Sequence, residues 1–160
     1  MVDFAGPDTE LPDPGAPDPG ARAAAHTLLH EHLFGPVAAE AWVQAVEHDP
    51  EIPRWYVRFG CDGRDAATIY FDLHQRSLHF ELYFLPDPPR GHEALYRSLL
   101  RWNHATYGAR FSIGPDGDIY LTGRRLLEHL DGAELDRLLG VLYALTERYF
   151  QTAVALGFRA

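Results

Sequence analysis

Alternation with a period of two runs through the middle of this chain and constrains its fold more than any other feature. In Arg54–Phe59, Trp55, Val57 and Phe59 fall on one side and Arg54, Tyr56 and Arg58 on the other. In Thr68–His74, Ile69, Phe71 and Leu73 alternate with Thr68, Tyr70, Asp72 and His74. In Ser77–Leu85, Leu78, Phe80, Leu82 and Phe84 alternate with His79, Glu81 and Tyr83. Strand side chains point to opposite faces in turn, so each run has one apolar face. The connection Gly60–Asp65 contains Asp62-Gly63, and the next is a short turn around Gln75-Arg76. Connections this short join antiparallel neighbours. Three strands in a meander are the expectation.

Helical spacing surrounds the meander. Ala24, Leu28, Leu29 and Leu33 predict a helix over 21–34, which Gly35-Pro36 interrupts. Val37, Ala41, Trp42, Ala45 and Val46 resume a period near 3.6 up to His48, predicting a kinked helix or two short ones. Pro50 and Pro53 forbid its continuation. A second helix is expected from Gly91 to Tyr107, apolar at Leu95, Leu99 and Trp102, with Gly108 as a left-handed residue just after it. Arg110–Ile113 and Ile119–Leu121 flank Gly114-Pro115-Asp116-Gly117, a hairpin signal. The last helix, 131–155, carries Leu135, Leu138, Leu139, Leu142, Leu145 and Tyr149, with Asp131 or Gly132 as cap and Glu134 near the third position. Gly140 inside it costs about 1 kcal/mol against Ala, which predicts close approach of another backbone element. The order is α-β-β-β-α-β-β-α, so the expected class is α+β, an antiparallel sheet packed against helices. Trp55, Phe71, Phe80, Phe84, Phe111 and Leu121 turn toward those helices.

Charge divides the chain. The net charge is −9, and residues 1–20 hold Asp3, Asp8, Glu10, Asp13 and Asp18 with no basic residue. The same stretch holds five prolines, so it reads as a disordered acidic Pro/Gly-rich tail, and 21–160 as one folded domain. All 14 basic residues are Arg. An acidic balance argues against nucleic acid and anionic membrane as partners. The single Cys, the lack of an apolar run of membrane length and the lack of a signal-peptide pattern predict a cytoplasmic protein.

Few residues suggest chemistry. His26 and His30 are four apart and could share a helix face, which makes them candidate metal ligands; solvated polar positions are the other reading. Cys61 lies beside Asp62 and Asp65, whose charges raise a thiol pKa and disfavour a reactive thiolate. No nucleophile elbow, P-loop or dinucleotide fingerprint occurs, so no catalytic residue, cofactor or enzymatic activity is expected. The strand faces opposite the core are richer. They carry Tyr56, Arg58, Tyr70, His74, His79, Tyr83, Arg110 and Tyr120, together with Arg54. Tyr and Arg are enriched in protein interfaces, so this face is a candidate surface for a peptide or a second subunit, an acidic segment included. Tyr also favours strands, and Arg replaces Lys throughout the chain, which explains the same residues without a partner.

Arg54-Trp55-Tyr56-Val57-Arg58, Leu78-His79-Phe80-Glu81-Leu82-Tyr83-Phe84 before Pro86, and Leu95-Tyr96 through Leu99-Leu100-Arg101 with Asn103-His104 form a recognisable series. It continues in Tyr107-Gly108-Ala109-Arg110-Phe111, Ile119-Tyr120-Leu121, Glu134-Leu135-Asp136-Arg137-Leu138-Leu139-Gly140 and Gly157-Phe158. In this order, over residues 22–158, they resemble the YbjN family, described as bacterial sensory transduction regulators. The resemblance implies the fold of type III secretion chaperones and a non-catalytic role, either binding a protein or peptide client or acting as a regulator. It also implies a homodimer. The alternative reading is a sensory regulator that binds a metal or ligand through histidine.

Overall fold

Asp62-Gly63 closes the hairpin between the first two alternating runs, with Gly63 at φ +81°, a value that favours glycine. The computed structural model describes residues 17–159. The turn joins β2 (Arg54–Cys61) to β3 (Arg64–Leu73), and β4 (Ser77–Leu85) follows after the tight turn at Gln75-Arg76. These are the three alternating runs, paired antiparallel with Trp55 opposite Phe71 and Phe71 opposite Phe80.

A fourth strand precedes them. Val37–Ala39 forms only a short 3-10 turn, and β1 (Val43–Asp49) pairs antiparallel with β2, in place of the helix expected up to His48. A bulge between Val43 and Ala45 is the reason. Val43 lies opposite Phe59 and Val46 opposite Val57, so two core-facing residues stand three apart rather than two. That spacing imitates a helical period.

The first helix, α1 (Pro19–Phe34), begins two residues earlier than expected. Asp18 caps it by accepting from the Ala21 amide at 3.0 Å, and Pro19 opens the first turn, where no amide hydrogen is needed. Pro19 and Gly20 thus belong to the folded domain, and residues 1–16 of the expected tail lie outside the described residues. The second helix, α2 (His92–Ala105), leads through a turn to β5 (Arg110–Ile113). Gly108 is left-handed, φ +80°, but sits in that turn rather than at the helix end. β6 (Ile119–Leu126) runs five residues past Leu121, and α3 (Gly132–Phe158) follows it. Asp131 caps α3 by accepting from the Glu134 amide at 2.7 Å. The Glu134 side chain does not complete a capping box; it bridges Arg125 at 2.6 Å and Arg137.

The six strands among the described residues form one antiparallel sheet in the order β1-β2-β3-β4-β6-β5. Trp55, Phe71, Phe80, Phe84, Phe111 and Leu121 are buried on one face with Leu29 and Leu33 of α1, Leu95 and Leu99 of α2, and Leu135, Leu138 and Leu142 of α3. The class is α+β, with the helices on one side. Gly140 corrects an expectation: a Cβ there would meet nothing within 4 Å among the described residues, so no other element's backbone among them approaches it.

Candidate functional site

The register places the outward residues of the sheet in rows. One row runs Glu47, Tyr56, Tyr70, Glu81, Thr122, Arg110 across all six strands. A second runs Asp49, Arg54, Asp72, His79, Arg124. Tyr83, Tyr120 and Ser112 form part of a third, with Arg58 opposite Thr68 on the far strands. Paired residues in a ladder share a face, and among the described residues no helix crosses this one.

The tyrosines pack edge to face. Tyr56 meets Tyr70 at 5.2 Å and Tyr83 meets Tyr120 at 5.5 Å between centroids, an arrangement favoured by the ring quadrupoles. Arg54 donates to both oxygens of Asp72, at 2.5 and 3.0 Å, and its guanidinium lies 5.8 Å from the Tyr70 ring. The Asp72 hydrogen bonds push the Arg54 pKa up. Desolvation raises the Glu81 carboxyl, Asp72 adds to the rise, and Arg54 opposes it. Desolvation also raises the Tyr83 and Tyr120 hydroxyls, with the Asp118 charge reinforcing both. His74 and His79 lie ring on ring, 3.9 Å apart, at the end of a cleft of about 550 Å³ that Arg54, Asp72, Glu81 and Thr122 also line.

The sheet thus brings Tyr56, Arg58, Tyr70, His74, His79, Tyr83 and Tyr120 onto one surface. Arg110 occupies an edge position there, but its guanidinium is tied to the Thr106 and Ala109 carbonyls, at 2.9 and 2.8 Å. Sequence reasoning passed over the carboxylates. Glu47, Asp49, Asp72 and Glu81 share the face with Arg54, Arg58 and Arg124, so it is a mixed-charge surface and not a basic one suited to an acidic segment. Asp72 and Glu81 were legible from the same alternation that marked Tyr70 and Tyr83; Glu47 and Asp49 were hidden by the bulge in β1.

The histidines of α1 lie elsewhere. His26 and His30 gather with His48 of β1 around Trp55, at centroid distances of 5.7 Å (His26–His48) and 5.5 Å (His30–His48). Among the described residues no group of three ligands is arranged to hold a metal ion. His32 contacts Asp136 at 2.7 Å. Burial raises the Cys61 thiol, with the Glu147 charge adding to it, which keeps it protonated at neutral pH. No described helix is long and apolar enough to cross a membrane.

Residues 36–154 match the sequence model of the YbjN family, described as "Putative bacterial sensory transduction regulator". The chain is 37% identical over 107 residues to the uncharacterized protein ML2442 of Mycobacterium leprae, covering 67% of this chain and 58% of that protein. It is 35% identical over 86 residues to the uncharacterized protein Rv0487 of Mycobacterium tuberculosis, covering 54% of this chain and 47% of that one. The matched region spans about half the length of these relatives. Among solved structures, a chain of the HopA1–SchA chaperone–effector complex superposes with a TM-score of 0.56 at 16% identity, over 85% of this chain and 99% of that one. The type III secretion chaperone fold expected above is the fold of this protein, with β1 added to the α-β-β-β-α-β-β-α order expected from sequence.

Proposed function

This chain belongs to the YbjN family, and on that premise we propose that it is a non-catalytic regulatory module that holds a polypeptide segment on the open face of its sheet. The observation that carries this reading is the tyrosine face itself. Tyr56, Tyr70, Tyr83 and Tyr120 pair edge to face on a layer that no described helix covers. Tyrosine presents area and a hydroxyl at low entropic cost, and the mixed charges of Arg54, Asp72, Glu81 and Arg58 supply orientation. The chaperone–effector complex that shares the fold supports a polypeptide as the ligand class. The protein works in the cytoplasm and carries no cofactor.

The module is a homodimer, through α2 and β5. Leu100 and Ile113 are 71% and 50% exposed, and with Tyr96, Leu99 and Phe111 they line an almost wholly apolar cleft of about 340 Å³. A second copy of the same patch covers it symmetrically. Sedimentation of Leu100→Arg tests the dimer: the variant runs as a monomer if this patch joins the subunits, and an unchanged dimer places the interface elsewhere. Cross-linking capture tests the face. Arg58→Glu and Tyr83→Ala reduce recovery of a bound polypeptide, and recovery equal to the parent protein rejects the surface.

A further inference from the structure

Gly140 stands in the middle of a 27-residue helix, costs helical stability, and has no neighbour within 4 Å among the described residues that would object to a side chain. Packing does not explain it. It lines a cleft of about 470 Å³ between α3 and the segment leading into β1, on the helical side of the sheet. The wall is aromatic: Trp42 and Tyr143 lie 5.2 Å apart at 61°, and both rings rest on buried Phe59, 5.6 Å from each. The rim is acidic. Asp136 is held there by His32 at 2.7 Å, and Glu40 is exposed with no ion-pair partner among the described residues. Val37 and Leu139 form the buried floor, and among the described residues no Arg lines the cleft.

Two aromatic faces beside two carboxylates complement one chemistry. A planar guanidinium stacks on the rings and donates to carboxylate oxygens at its edge, which an ammonium does less well. We propose that the Trp42–Tyr143 cleft, lined by Gly140 and rimmed by Glu40 and Asp136, is a binding site for an arginine side chain of a polypeptide. The cleft opens away from the tyrosine face, so this site and that surface stand or fall separately.

The test uses the full chain and three capped tripeptides, Gly-Arg-Gly, Gly-Lys-Gly and Gly-citrulline-Gly, followed by NMR at the Trp42 indole N–H and the Gly140 amide. The arginine peptide moves both signals along a saturable curve at millimolar concentration. The lysine peptide binds several-fold more weakly, and the neutral citrulline isostere at least tenfold more weakly. Glu40→Gln, an exposed substitution, weakens the arginine peptide at least threefold. Gly140→Leu, which fills the notch on a surface-exposed helical turn, abolishes the response while the remaining amide signals keep their positions. Equal binding of arginine and citrulline peptides overturns the proposal, as does saturable binding unchanged in Gly140→Leu. A parent protein whose Trp42 and Gly140 signals stay fixed up to 50 mM arginine peptide, a ceiling about tenfold above a weak single-side-chain site, overturns it too.

Discussion

Acid should loosen the packing of α1 on the sheet, because three imidazoles meet there. His26 and His30 descend from α1 onto His48 of β1, 5.7 and 5.5 Å away between ring centres, and the His48 ring stacks on buried Trp55 at 4.6 Å. Desolvation pushes the His48 pKa below 6.5, and His26 and His30 lower it further, against a smaller opposing pull from Asp49. Exposed Glu31 lines the same cleft. The folded chain therefore holds this proton more weakly than the unfolded chain. Stability from this group is full above about pH 6.5 and is lost as the pH falls below it. Two unit charges 5.5 Å apart repel by about 0.8 kcal/mol in water and about 3 kcal/mol at an effective dielectric constant of 20. His30 is exposed, which favours the lower figure for its pair, so the cluster is worth about 2 kcal/mol in all. Urea unfolding at pH 7.5 and pH 5.0, followed by tryptophan fluorescence, measures it. The double variant His26→Gln/His30→Gln removes both repelling neighbours and leaves His48 against Trp55. Its loss of stability between the two pH values should be smaller than that of the parent, because the burial of His48 remains but the repulsion is gone. Equal losses in both proteins would refute the reasoning.

Three further substitutions probe the fold. Gly140→Ala adds a methyl group into open space and should stabilise the chain by about 1 kcal/mol, raising its melting temperature by about 2–4 °C. Gly123→Ala should do the reverse by about 1–3 kcal/mol or more, since its Cβ would lie 2.2 Å from the Phe80 ring and 2.6 Å from the Gly108 carbonyl; chemical denaturation reads both signs. Asn103→Ala should cost about 1–3 kcal/mol and speed amide exchange at Phe111. The Asn103 side chain accepts from the Phe111 amide at 2.7 Å and donates to its carbonyl at 3.0 Å, standing in for a strand neighbour on the outer side of β5.

Local pattern carried most of the architecture into view. Trp55, Phe71, Phe80, Phe84, Phe111 and Leu121 are all buried as the alternation requires, and the Asp-Gly turn lies where the pairing needs it. The failures have local causes. A bulge turned a strand period into a helical one at Val43–Val46. Gly123 ended the visible strand at Leu121, although the strand continues because Phe80 from β4 fills the glycine's place. Gly140 carried a cost whose reason could not be read without knowing what lies over it. On the open face, the alternation marked the tyrosines together with Asp72 and Glu81, but Glu47 and Asp49 emerged only from the register of β1. The Arg110 guanidinium illustrates the same limit: strand position put it on the face, and loop carbonyls took it away.

The open sheet face is the proposed polypeptide-binding surface. Photo-cross-linking measures that most directly, with p-benzoylphenylalanine replacing Tyr70 at the centre of the face or Arg148 on the exposed side of α3. Irradiation in the cells that make the protein should give a discrete polypeptide adduct from position 70 and none from position 148. Adducts from position 148 alone, or no adduct from position 70, would contradict it.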